Sequence, residues 1–537
     1  MRDARQHNVP EGTPDEVRDR AGQEVRRPQT DPTVGVARSP AVRRSTVPTH
    51  RLVVIGDSLS QGFQSGAIFN TGLSYGAIIA HELGWLENFR YPTYPAFGGL
   101  PLNMEFLLRE LESQFGSTTS LAEMPRAVHR VRKYLNEIEE YWERGDGTVL
   151  PGLDQYNHAL AVFGWDLRDA LEKTAASCLE TTANTPNNLV VPAVQRACDL
   201  AALRVYPSWS EEVRQQTLFQ AAQALGDDDR TGAGEGIETL VVFLGANNVL
   251  SSVCHLAVRW SREEGYRAAD RKKRYTVWQP EHFRREFSLV VEQVKSIKAR
   301  NVIWCTIPHV TIGPAAKGVD TKSAPRSRYY DYYTRPWIED GDFDPRHDPF
   351  ITGAQARAVD YAIDSYNDAI EAAVRSARTG KDGSVRNWYL LDTAGILDRL
   401  AWARYIDDPI ATPAWWTPYP LPTALQRLDP QPDTQFLTAD GKGGRRTGGL
   451  ISLDGVHPTT VAYGILAQEL VSIMEQAGVQ FYSPNGTERQ GPIEVDFDRL
   501  IKLDTLVTSP PQNLASTLGI VGWVDEAFDV FSRLFGG

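Results

Sequence analysis

Four apolar runs, almost unbroken, constrain most strongly what this chain can fold into. They lie at residues 52–55 (LVVI), 239–244 (TLVVFL), 301–307 (NVIWCTI) and 388–391 (WYLL). A strand without polar–apolar alternation is buried on both faces, which is the condition of a strand inside a parallel sheet. A shorter fifth strand is expected at 91–97, just before Gly98-Gly99. Helical stretches follow these runs at 75–83, 102–115, 281–299, 354–377 and 459–477. In the 281–299 stretch Phe283, Phe287, Val290, Val291, Val294 and Ile297 fall on one face. Strands alternating with helices predict an α/β protein whose parallel sheet is covered on both sides. In such sheets function gathers at the carboxyl ends of the strands, so the residues just after each run are the ones to inspect.

Two stretches interrupt the alternation. Residues 116–236 carry Leu121, Met124, Val128, Val131, Leu135, Ile138 and Trp142 at alternating spacings of three and four, an amphipathic helix stripe. Further helices are expected at 155–179, 190–204 and 210–225, with Ser208 and Glu211 as a capping box and Gly226 as a stop. This segment reads as a helical cap. Its large residues Phe163, Trp165 and Trp209 suggest that it walls an apolar pocket, with the tyrosine-rich stretch 328–337 at the rim. The second interruption, at 311–353, is rich in Tyr, Asp, Arg and Pro. A further irregular stretch spans 405–450, and both read as lid-like loops. The expected organisation is a disordered tail over 1–48, core at 49–115, cap at 116–236, core at 237–480 with its two loops, and an extension at 481–537. That extension ends in a helix with Leu514, Leu518, Val521, Phe528, Phe531 and Phe535 on one side.

Composition narrows the partners. The 537 residues carry a net charge of −12, which disfavours a general binder of phosphate backbones, so no nucleic-acid partner is expected. No apolar run reaches the roughly 20 residues of a membrane span, and the amino terminus has no apolar leader, so a cytoplasmic location is expected. Cys178, Cys198, Cys254 and Cys305 lie far apart without a C-x-x-C, which suits buried free thiols. Asp340–Asp344 has the acidic spacing of a calcium loop, but Pro345 and Ile351 occupy the positions where such a loop needs Gly and Glu, and no metal is expected.

Four short blocks carry chemistry. Gly56-Asp57-Ser58-Leu59-Ser60 follows the first strand, where a serine hydroxyl is exposed at the sheet edge and needs a base to become a nucleophile. Asp454-Gly-Val-His457 places a carboxylate one turn from an imidazole, so that the carboxylate holds Nδ1–H and Nε2 acts as base. Asn247, after the 239–244 strand, offers a side-chain N–H to an oxyanion, and a backbone N–H at Gly98 or Gly99 can approach one closely. His309, after the 301–307 strand, is the second candidate base. The G-x-S-x-G elbow is missing.

Taken in order, these blocks resemble the GDSL/SGNH hydrolase superfamily of esterases and lipases: GDSL at 56–59, glycines at 98–99, G-x-N at 245–247 and D-x-x-H at 454–457. The resemblance covers the α/β core, about half the chain, and not the tail, cap or extension. It implies a three-layer flavodoxin-like fold with a large helical insertion. It also implies Ser58 as nucleophile, His457 as base and then acid, and Asp454 as its orienting carboxylate. The implied oxyanion hole consists of the Ser58 N–H, Gly98 or Gly99, and Asn247. Asn248 stands where the family often has Asp. The implied activity is hydrolysis of small-molecule or lipid esters without a cofactor. The same groups suit acyl transfer to a second alcohol, and a module that only binds is the reading from another class.

Overall fold

The computed structural model describes residues 9–37, 46–120, 122–183, 194–381, 383–483 and 485–514. Five parallel strands form its central sheet: β1 (His50–Gly56), β2 (Ala159–Ala161), β3 (Ile237–Phe243), β4 (Ala299–Cys305) and β5 (Trp388–Leu391). Their spatial order is 2-1-3-4-5. His50 pairs with Ile237 and Gly56 with Phe243, while Val54 pairs with Ala159. β1 and β3 are buried along their whole length, as their unbroken apolar runs require.

Helices cover both faces: α1 (Asp15–Ala21), α2 (Tyr75–Glu82), α3 (Met124–Glu143), α4 (Leu218–Asp227), α5 (Pro280–Ser296), α6 (Gly353–Thr379), α7 (Thr393–Leu400) and α8 (Thr460–Gln476). The pleat sorts the β1 side chains between them. Val53 and Ile55 share one apolar core with α4, α5 and α6, and Leu52 and Val54 share the other with α2 and α8. Burying both faces of one sheet in this way supplies most of the favourable energy of a fold of this size.

The second sheet strand is not where the sequence placed it. Residues 91–95 have no regular structure, and Gly98-Gly99 instead leads into a short pairing of Leu100–Pro101 with Ala67–Ile68. The second strand of the sheet is β2, which lies inside the segment expected to be a helical cap. The expected helix over 155–179 is therefore a strand followed by two short helices, Leu167–Glu172 and Ala175–Ala183. The stripe helix does form as α3, burying Val131, Leu135, Ile138 and Trp142; Leu121 lies outside the described residues. The cap of the helix at Glu211–Arg214 is Ser210, whose side chain accepts the Val213 N–H, and not Ser208.

The amino-terminal stretch is a second correction. Residues 9–37, expected within a disordered tail, pack on the body. Val17 and Ala21 lie one turn apart and are buried, and α1 rests against α6. Arg20 pairs with Asp368 at 2.7 Å and Arg26 with Asp392 at 2.9 Å. Pro32 then accepts a hydrogen bond from the Leu390 N–H, covering the outer edge of β5. The four cysteines are buried free thiols. The 311–353 stretch forms a small antiparallel sheet from Lys317–Lys322, Tyr330–Thr334 and Ile351–Thr352. Of the residues expected in a final apolar-faced helix, Leu514 is buried and the rest lie outside the described residues. Among the described residues, no helix is long and apolar enough to cross a membrane.

Candidate active site

A 2-1-3-4-5 order reverses direction between β1 and β3, and the crevice of a doubly wound sheet opens at that switch point, beyond the strand carboxyl ends. Ser58 leaves β1 there and Asn247 leaves β3 beside it. Asp57 starts the short helix at Ser58 by accepting the Leu59 N–H at 3.2 Å. Its other carboxylate oxygen is buried without a hydrogen-bond partner. Burial raises the Asp57 carboxyl to about 7, against the pull of the Leu59 N–H and of His457.

Asp454 and His457 arrive from the turn before α8. The Ser58 hydroxyl donates to His457 Nε2 at 2.8 Å, and His457 Nδ1–H donates to Asp454 Oδ2 at 3.0 Å. The backbone N–H groups of Gly66, Val456 and His457 also donate to the Asp454 carboxylate, at 2.9, 2.9 and 2.8 Å. Burial works to raise the Asp454 carboxyl, but His457 and these N–H groups outweigh it and hold it below its ordinary value. Asp454 thus stays ionised and fixes the tautomer that leaves Nε2 as acceptor. Phe63 packs on the imidazole with ring centroids 4.5 Å apart.

Neither Gly98 nor Gly99 sits at a strand end of the central sheet. Gly99 is a packing glycine: its carbonyl accepts the Trp142 indole N–H at 2.9 Å, and a Cβ there would lie 2.1 Å from the Ile68 carbonyl oxygen. The glycine that follows the strand next to β1 is Gly164, three residues beyond β2, with φ +71°. A Cβ on Gly164 would come within 2.8 Å of the Cys198 sulfur. Among the described residues, no acceptor faces the N–H of Ser58 or of Gly164. Asn247 Nδ2 spends one hydrogen on the Trp165 carbonyl at 3.0 Å and has its second hydrogen left to donate. The Gly164 carbonyl is held by Lys272 at 2.7 Å, and Lys272 pairs in turn with Asp169 at 2.6 Å. These contacts fix the Gly164–Trp165 peptide. Asn248, next to Asn247, is buried and accepts the Leu167 N–H at 3.3 Å.

His309 is not available as a base. Its Nδ1 lies 3.1 Å from Asp398 and its Nε2 3.1 Å from Asp364, so both ring nitrogens are spent. Burial opposes its charge, but Asp398, Asp360 and Asp364 overcome that and raise it to about 10. Arg404 joins the same buried cluster through Asp360 at 2.5 Å and through Thr311.

An apolar cavity of about 120 Å³ starts at Ser58 and His457 and is walled by α7, α8 and the chain around them, including Thr434 and Leu450 of the 405–450 stretch. None of the described residues of 116–236 lines it, contrary to the expectation for the cap. Phe163 and Trp165 are instead buried in the packing of that segment on the sheet, and Trp209 is exposed. The tyrosine-rich stretch does not form the rim: Tyr329 and Tyr333 are buried, and Tyr329 donates to Asp360 at 2.9 Å.

A hydroxyl bonded to an imidazole, which is itself held by a buried carboxylate, can give up its proton as it attacks an electrophilic carbonyl. An unpartnered N–H group close to the carbonyl oxygen can receive the negative charge that develops there. A scan of the chain against models of known protein families matched none, and a search among characterised proteins found no relative.

Proposed function

We propose that this chain is a serine hydrolase of carboxylic esters, of the GDSL/SGNH type. The observation that carries this reading is the unbroken line Asp454–His457–Ser58 at the switch point of the sheet; the N–H groups of Ser58 and of Gly164, three residues past the strand that pairs with β1, lack acceptors among the described residues. The 2-1-3-4-5 strand order supports the flavodoxin-like core that this type implies.

Ser58 Oγ attacks the ester carbonyl while His457 Nε2 takes its proton. Asp454 stabilises the imidazolium that forms. The oxyanion is received by the N–H of Ser58, the N–H of Gly164 and the free hydrogen of Asn247 Nδ2. His457 then gives its proton to the leaving alcohol, and an acyl-Ser58 ester remains. Water attacks that ester with His457 again as base, releasing the acid and restoring the serine. Nucleophile, base and oxyanion donors all come from the chain, so the reaction requires no cofactor.

Labelling by a fluorophosphonate probe, together with turnover of p-nitrophenyl esters, tests the reading. Wild-type protein should do both and the Ser58→Ala protein neither. A wild-type protein that is neither labelled nor active overturns it.

A further inference from the structure

We propose that the cavity beside Ser58 binds the acyl chain of the substrate, that it selects chains of medium length, about six carbons, and that α7 is the wall that limits them. This rests on the hydrolase reading above. The lining starts at Ser58, just beyond β1, and passes Phe243, at the end of β3, and Pro308, beyond β4, to reach Leu397 on the helix that follows β5. It therefore crosses three strand intervals, about 14 Å at the usual strand spacing. An extended chain advances about 1.2 Å per bond, so this span holds about twelve bonds. The volume is the tighter limit. An apolar cavity of about 150 Å³ is known to hold a six-carbon ring, and this one measures about 120 Å³. Room for about six carbons, well inside the twelve bonds of the span, therefore sets the chain length.

The wall is greasy where it could have been filled. Ile396, Leu397, Leu400 and Leu466 are only half-buried yet face the cavity. A void lined in this way forfeits packing energy unless something occupies it.

Which half of the ester occupies it follows from the order of events. The alcohol must leave, and water must then reach His457 Nε2. The acyl group stays bonded to Ser58 throughout and needs a recess away from that path. Each methylene buried there should raise kcat/KM roughly fourfold or more.

The experiment is a p-nitrophenyl ester series from acetyl to hexadecanoyl, run beside acetate esters of alcohols of graded length. Wild-type kcat/KM should rise at least tenfold from acetyl to an optimum between butanoyl and octanoyl, and respond less to the alcohol. Leu397→Trp should lower the hexanoyl-to-acetyl ratio at least tenfold. Leu397→Ala should move the optimum to longer chains, which keeps the test open if the tryptophan variant does not fold. A flat acyl series in an active, labelled enzyme overturns this inference alone, as does dependence on alcohol length instead. Absence of all hydrolysis and of fluorophosphonate labelling overturns the hydrolase reading, and this inference with it.

Discussion

His457 Nε2 lies 2.8 Å from the Ser58 hydroxyl, although 399 residues separate the two in the chain. The contact depends on α8 packing beside β1 on the same face of the sheet, through Val461, Leu470 and the Leu52–Val54 side of the strand. Ser58→Ala should therefore keep the fold, with an unchanged circular dichroism spectrum, while kcat falls by on the order of 10⁴–10⁶, as when a serine nucleophile is removed elsewhere. Ester turnover by the variant at the parent rate would exclude Ser58.

The oxyanion donors should separate from the binding groups in kinetics. Asn247→Ala removes one donor aimed at the transition state and should lower kcat by roughly 10²–10³ with a smaller change in KM. Gly164→Ala should also lower kcat, because its φ of +71° and the Cys198 sulfur 2.8 Å from the added methyl force the peptide to move. Gly99→Ala should act through stability, seen as a lower Tm, because its methyl collides with the Ile68 carbonyl behind the site. Steady-state kinetics on the three proteins with one short ester checks the contrast.

That the glycine following the strand beside β1 is Gly164, and not Gly98 or Gly99, shows how far the sequence could be read. β1, β3, β4 and β5 were legible because a strand buried on both faces leaves a continuous apolar run. β2 is only three residues long and lies among stretches with helical spacing, and the Gly-Gly pair upstream looked like the better turn. One signal was present. Residues 159–163, Ala-Leu-Ala-Val-Phe, run unbroken into Gly164, as 52–55 runs into Gly56. Asp454 and His457 were legible because three-residue spacing brings them together locally, without help from tertiary structure. The His309 cluster was not, since its partners come from α6, α7 and the turn after α7, up to 95 residues away along the chain from 309 to 404. The amino-terminal stretch was misread because its charge density resembles that of a disordered segment, whereas Arg26 has a buried acidic partner, Asp392, supplied by the body.

Arg26 tests whether that stretch belongs to the fold. Its Nη1 meets both Asp392 oxygens at 2.9 Å, and both side chains are largely buried. Asp392 also accepts the Gly395 N–H at 3.2 Å and so caps α7, the wall of the cavity. Arg26→Ala leaves a buried carboxylate short of its counter-charge and should cost about 3 kcal/mol in urea unfolding. A change below about 0.5 kcal/mol, the range of ordinary surface substitutions, would show that the contact adds nothing.

His309 should govern how stability depends on pH. Its carboxylate partners hold it protonated in the folded protein up to about 10, against an ordinary value of 6.5. The folded state therefore binds this proton more tightly than the unfolded chain does. The stability it contributes is complete below about 6.5 and is lost as the pH rises from there through about 10. His309→Asn removes the charge while Asp364 and Asp398 stay buried, and should cost about 3–5 kcal/mol at pH 6. Urea unfolding at pH 6 and pH 9.5 separates the two proteins. The wild type should lose part of its margin over the variant at the higher pH, because only the wild type has this proton to lose. Parallel stability curves for the two proteins across that range would mean that the cluster does not hold His309 charged. Because Asp398 lies on α7 next to Leu397, the same titration should loosen the cavity wall before it reaches Ser58. The preference for medium over short acyl chains should then weaken above pH 9 in the wild type.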